Sequence, residues 1–186
     1  MEHKRKMTKA LIGYGLKSLM LRYPFEKITI KMITNEAGVI RPTFYNYFCD
    51  KYEVLEWIFS EEIIDKVRSM FEQHMYQEGI KLLFVSMKTD SQFYKKAFDV
   101  TGQNAFESVI KDQLYNLIHD EFKKNFAGPQ TDSPLLTKET IAMYYSSAAV
   151  DLLKTWITGD LGDYDADQMV ETYIYLIEHR LSDYIE

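Results

Sequence analysis

TIKMITNEAGVIRPTFYNYFCDK, residues 29–51, holds two short helical patterns on either side of one glycine. The first covers residues 30–37. Gly38 ends it, because glycine takes a left-handed backbone conformation at little cost. The second begins at about Arg41, with Pro42 in the first turn, where a missing N–H is no loss. Two helices joined by a tight glycine turn make a helix-turn-helix, which seats its second helix in a DNA major groove.

The side chains of this stretch divide by face. Val39, Phe44 and Phe48 are its apolar positions, and the two phenylalanines, four residues apart, share one side. That side must pack on Ile30, Ile33 and Ala37. Arg41, Pro42, Thr43, Asn46 and Tyr47 are left pointing outward. Arg41 can give two hydrogen bonds to a guanine edge, Asn46 can pair with adenine, and Thr43 offers a methyl and a hydroxyl. Tyr45, Tyr47 and Lys51 suit phosphate oxygens, which fix orientation without carrying sequence information. Lys51 also opens the next helix, whose free N–H groups favour an anion. The bland alternative is a three-helix unit with a solvated polar face.

Residues 8–58 resemble the DNA-binding domain of the TetR/AcrR family of transcriptional regulators. Ile12, Leu16, Leu19 and Met20 match its first-helix core. Phe25, Thr29, Ile33, Ala37, Gly38, Val39, Thr43, Phe44, Tyr45, Tyr47, Phe48 and Lys51 match the rest. The resemblance implies that Thr29 and Lys31 touch the DNA backbone or a base. It also implies that the second helix reads the major groove, and that Tyr45, Tyr47 and Lys51 meet phosphates. Two positions depart from the pattern. Tyr47 stands where many members carry histidine, and Cys49 where a charged or small polar residue is usual. The runs KITIKMI and RPTFYNYFCDKYEVLEWIF are similar to members that regulate dihydroxyacetone kinase operons.

A length of 186 residues allows one domain or two small ones, and 46% hydrophobic residues rule out a mainly disordered chain. No apolar run approaches a membrane span, and the basic start MEHKRKMTK leads into an amphipathic helix, not a signal-peptide core. The lone Cys49 cannot form an internal disulfide, which fits the cytoplasm. The net charge of −6 is unevenly spread. Residues 1–51 carry ten Lys/Arg against four Asp/Glu, for +6, and the remainder carries 12 against 24, for −12. A basic head on an acidic body orients the molecule on a polyanion such as double-stranded DNA.

Every long segment beyond the head reads as helix, so the fold class is all-α. A helix-turn-helix domain over residues 1–58 is expected to join a helical ligand-binding and dimerisation domain over 59–186. Helices are expected over residues 8–22, 51–75, 80–87, 91–100 and 104–126, with a loop over 127–134. Thr137 is a cap for a helix reaching about Thr158, and Asp165 with Gln168 opens a last helix to about Ile185. Ile141, Tyr145, Ala148, Leu152 and Trp156 form one stripe; Met169, Tyr173, Leu176, Ile177, Leu181 and Tyr184 form another. Ser146, Ser147, Ala148 and Ala149 make a waist where helices can approach closely. Such stripes either bury within the monomer or pair with a second copy. The family resemblance implies a homodimer, and two heads would read a palindrome.

The body is rich in aromatic residues, and the resemblance implies an apolar pocket there for a small-molecule effector that moves the long linking helix. Tyr115, His119 and Trp156 are candidates to line it, since each joins an apolar body to a polar handle. No cofactor is expected. No Ser-His-Asp order or phosphate loop points to an enzyme, and His3, His74, His119 and His179 lack the i+4 partner of a metal pair. A module acting through a protein partner is the other alternative. Both stand behind a DNA-binding regulator, expected to repress by covering its operator.

Overall fold

The computed structural model describes residues 2–102, 105–128 and 133–185. Among them every regular element is helical. Helix α1 spans Glu2–Met20. It starts earlier than the sequence suggests because Lys4, Arg5, Lys6 and Met7 are strong helix formers with no breaker among them. Ile12, Leu16, Leu19 and Met20 bury one side of it. Gly15 lets it approach α2 (Ile30–Glu36): a Cβ there would lie 3.1 Å from the Ile33 carbonyl oxygen and 3.2 Å from the Ala37 nitrogen. The short α3 (Arg41–Tyr45) follows, then α4 (Lys51–Phe59). Phe44 and Phe48 are buried, the latter edge-on to Trp57 at 5.8 Å.

The expected single helix over 51–75 is a rod with a fault in it. A π-helical turn, Ser60–Ile64, separates α4 from α5 (Asp65–Glu72). The apolar pattern explains the extra residue. Val54, Leu55, Ile58 and Phe59 are buried, and so are Ile63, Ile64 and Val67. On an unbroken α-helix the second group would swing by well over about 100° round the axis. One inserted residue takes back roughly 100° of that swing and returns Ile63 and Ile64 to the core.

The rest of the body is α6 (Tyr76–Thr89), α7 (Ser91–Phe98), α8 (Phe106–Asn125), α9 (Lys138–Thr158) and α10 (Ala166–Glu178). Helices α8 and α9 run antiparallel: Glu107 at the start of α8 pairs with Lys154 near the end of α9, and His119 meets Glu139 at the other end. Ala142, Ser146 and Ala149 are buried in α9, so part of the small-residue waist serves packing within the monomer, while Ala148 stays exposed. Thr137 caps α9 by accepting from the Thr140 N–H, and Asp165 with Gln168 forms a capping box on α10. Part of the expected loop, residues 129–132, and the expected start of α8 at Asn104 lie outside the described residues.

Helix α10 packs on α6, with Tyr173 against Phe84 at 5.5 Å. It stops at Glu178, short of the expected Ile185. The Asp183 carboxylate takes the Arg180 N–H and organises a separate 3-10 turn, Leu181–Tyr184. The two apolar stripes divide. Trp156, Met169 and Tyr173 enter the monomer core, while Ala148, Leu176 and Tyr184 face outward, beside the exposed Tyr144 and Tyr175. Buried apolar side chains connect without a gap from Ile12 in α1 to Tyr173 in α10. Among the described residues no helix is long and apolar enough to cross a membrane.

Candidate nucleic-acid interface

Local backbone chemistry builds the turn between α2 and α3. The Thr29 hydroxyl oxygen accepts from the Met32 N–H and starts α2. At its end Gly38 has φ +66°, its N–H reaches the Asn35 carbonyl, and the Val39 N–H reaches back to Thr34. This crossed pair is a Schellman closure, which satisfies two carbonyls that a helix end would otherwise leave open. Val39 then tucks against the core, and α3 begins with Arg41 and Pro42.

The exposed side of this unit carries Thr29, Lys31, Arg41, Pro42, Tyr45 and Asn46, with Thr43 half-exposed. Arg41 is held over the Tyr45 ring at 5.5 Å and donates to the Tyr45 hydroxyl at 3.1 Å. The guanidinium is thereby splayed along α3 while keeping most of its donors free. The Lys31 ammonium has no hydrogen bond or ion pair among the described residues. Thr29 accepts with its oxygen, so its O–H is free to donate. Tyr47 is less free than its place in the sequence suggests: it is half-buried and packs on the core.

Lys51 requires a correction. The sequence sends it to a phosphate. In the structure its ammonium donates to three carbonyls, those of Phe25 (2.7 Å), Ile28 (2.9 Å) and Glu26 (3.3 Å). An ammonium has three N–H groups, so none is left over. The Phe25 ring lies 4.5 Å from the charge. Burial pulls this lysine below its ordinary pKa despite the nearby Glu26 and Asp50 carboxylates. Lys51 therefore closes the 3-10 turn Phe25–Lys27 and ties the start of α4 to the approach to α2. The carbonyls that receive it belong to residues more than twenty positions away, so the chain around Lys51 carries no sign of the contact.

Sequence reasoning also passed over Ile40. It is 69% exposed at the tip of the turn into α3, an unusual place for a large apolar side chain. A thymine methyl is the base feature it could meet.

The three candidates for an effector pocket do not converge. Tyr115 and His119 stack at 5.4 Å, and His119 Nε2 lies 3.3 Å from Glu139 at the start of α9. Trp156 lies near the other end of α9, about 25 Å away along the helix. Its indole N–H donates to the Tyr164 carbonyl at 3.0 Å, and its ring packs on Phe84. The handles of His119 and Trp156 are thus engaged locally. The body interior between α4, α7 and α8 is filled by Phe59, Phe93, Tyr94, Phe98 and Phe106. Among the described residues, the Tyr94 hydroxyl and Gln113 Oε1 are buried side-chain polar atoms without a protein partner.

Residues 74–179 match the C-terminal region of TetR-type transcriptional regulators. A curated relative, the HTH-type dhaKLM operon transcriptional activator DhaS of Lactococcus lactis subsp. lactis (strain IL1403), is 28% identical over 121 residues. That match takes in 64% of this chain and 65% of the activator, just under two thirds of its length. Among solved structures, the dihydroxyacetone kinase operon activator DhaS superposes with a TM-score of 0.68 at 24% identity, over 91% of this chain and 93% of that one. A TetR transcriptional regulator from Streptococcus agalactiae 2603V gives 0.62 at 16%, over 95% and 96%. Thermus thermophilus FadR in complex with lauroyl-CoA gives 0.61 at 17%, over 90% and 92%. At these identities the solved structures establish the fold.

Proposed function

We propose that this chain, which belongs to the TetR family of transcriptional regulators, binds a specific DNA operator through the outer face of residues 29–47. The observation that carries this reading is the pairing of a closed Schellman turn with an exposed set of donors that hold no ion pair. Lys31, Arg41, Asn46 and the Thr29 hydroxyl all have hydrogen-bonding capacity to give, and Thr43, Tyr45 and Tyr47 flank them. Arg41, Asn46 and Thr43 read base edges; Lys31, Tyr45 and Tyr47 set the register on phosphates. Pro42 and Ile40 supply apolar contact. Lys51 supports the face from behind.

Residues 1–58 act as the DNA-binding unit and 59–186 as the regulatory and dimerisation unit of a cytoplasmic homodimer on a palindromic site. The outward Tyr144, Tyr175 and Leu176 of α9 and α10 support pairing with a second copy. A small molecule entering the body, where Tyr94 and Gln113 keep unused polar atoms, releases the DNA. Repression by operator occlusion is the working sign. The curated relative named as an activator favours a second reading, activation from an upstream site.

Fluorescence anisotropy on the duplex upstream of the chain's own gene, beside a scrambled duplex, tests the DNA reading. Specific binding that weakens steeply with salt supports it; equal weak binding to both duplexes removes it. A reporter fused to that upstream region, with and without the gene, then gives the sign.

A further inference from the structure

Three parts of the molecule meet at one ammonium. Lys17 projects from α1 of the head, between the buried Leu16 and Met20. Its Nζ lies 2.8 Å from Glu62 Oε2 in the π turn and 2.7 Å from Asp90 Oδ2 at the corner between α6 and α7. Its stem crosses the Phe93 ring, with the charge 5.0 Å from the ring centre. The Lys17 side chain is 14% exposed, whereas its two partners are 33% and 46% exposed. Burial alone would lower the lysine; the Asp90 and Glu62 carboxylates outweigh it, so the net shift is upward and the cation is held.

Two features show that this meeting was arranged at a local cost. Asp90 precedes α7, and aspartate is among the best capping residues, worth about 1 kcal/mol. Yet its carboxylate caps nothing and reaches Lys17 instead. The π turn carries the other partner, and π turns recur where a helix is adapted to a function. It is clamped twice from α1, because Lys6 pairs with the adjacent Glu61.

We propose that Lys17 is a positioning residue: joined to Glu62 and Asp90, it fixes the angle of the head on the body and so the fit of the DNA face to its operator. This rests on the DNA-binding reading above. The joint spans α1, the π turn and the α6–α7 corner, so a shift of the corner is passed to the head without any contact between the body and DNA. The occupied Lys17 touches no nucleic acid.

The full-length protein tests this with Asp90→Asn, which removes one arm at a half-exposed site, with Lys17→Met, and with Lys17→Arg as the conservative variant. Two readouts are taken. One is affinity for the upstream duplex. The other is the spin-label distance distribution between Cys49 and a second label at Asn116→Cys, both exposed, in labelled chains diluted with unlabelled protein. Asp90→Asn and Lys17→Met are expected to broaden the distances and to weaken binding about fivefold, the low end of coupling between sites. The salt slope should not change, because no phosphate contact is lost. Lys17→Arg should keep both properties. Unchanged distances in folded Asp90→Asn overturn the proposal, as does broadening with undiminished affinity. If the unaltered protein binds no duplex, the DNA reading fails separately, and the distances alone decide whether the joint sets the head.

Discussion

The outer face of the head leaves its cations open, while much of the body, like the inner side of the head, pairs them with carboxylates. In the body Arg68, Lys81, Lys88, Lys123, Lys124 and Lys154 each meet a carboxylate. On the outer side of the head, Lys27, Lys31 and Arg41 have no ion pair among the described residues. The difference does not come from a shortage of acids, since Glu26 and Glu36 lie within the same forty residues; Glu36 is taken by Arg22 on the far side of α2. Charges paired within a protein are screened from a partner, and charges left open are available to one. The contrast marks residues 27–47 as a stretch of open cations, set against a body that is net acidic and pairs many of its own.

The contrast breaks most completely if the head is unfolded while the body stands. Phe44 is fully buried between α2, α3 and Phe48. Phe44→Ala should cost about 3–5 kcal/mol. Urea unfolding followed by circular dichroism is expected to show an early partial loss of helix, and duplex binding should vanish. A single late transition would mean that head and body unfold together, as their shared core permits. Gly38→Val applies a different stress. No atom lies within 4 Å of the added Cβ, so only the left-handed backbone opposes it, at about 1–2 kcal/mol. Gly38→Ala should cost less than the branched residue, which a comparison of the two melting temperatures would check.

Lys51 sharpens the comparison, because it is a head cation satisfied inside the protein, by carbonyls and not by a carboxylate. Lys51→Met leaves the Phe25, Glu26 and Ile28 carbonyls without their donor. About 2 kcal/mol of stability should go, measured from the urea midpoint. Because its N–H groups already face inward, the salt slope of DNA binding should stay as it is. A slope lower by about one would return Lys51 to the phosphates.

What could be read in advance follows the range of the forces involved. The Schellman turn at Gly38 and the caps at Thr137 and Asp165 are set by neighbours within five residues, and the burial of Phe44 and Phe48 by their spacing along one helix face, so the sequence shows them. The roles of Lys51 and Lys17 are set by groups more than twenty residues away, so both look like ordinary surface lysines in the chain. The π turn lies between these cases. Its apolar pattern drifts visibly through Phe59, Ile63 and Val67, but no glycine or proline marks it, so an unbroken helix is the natural expectation. An effector site is the least legible feature, because only residue type singles out Tyr115, His119 and Trp156, and type does not say which end of α9 a side chain adjoins.

The smallest effects test the contrast most finely. Arg41→Ala should lose about 1–3 kcal/mol of discrimination at one base pair and leave the other positions alone. Lys31→Ala should weaken all duplexes alike and lower the salt slope by about one. Lys124→Ala removes the same charge from the body, where Glu72 faces it at 3.2 Å with both side chains about half exposed. Its effect on stability should stay within about 0.5 kcal/mol. Its effect on the salt slope should be nil, because a cation neutralised inside the protein releases no counterion from DNA. These two slopes, measured on one duplex, turn the division of cations into a number. Equal slopes for Lys31→Ala and Lys124→Ala would show that the body's lysines leave their carboxylates for phosphate, and that the footprint on DNA extends beyond the head.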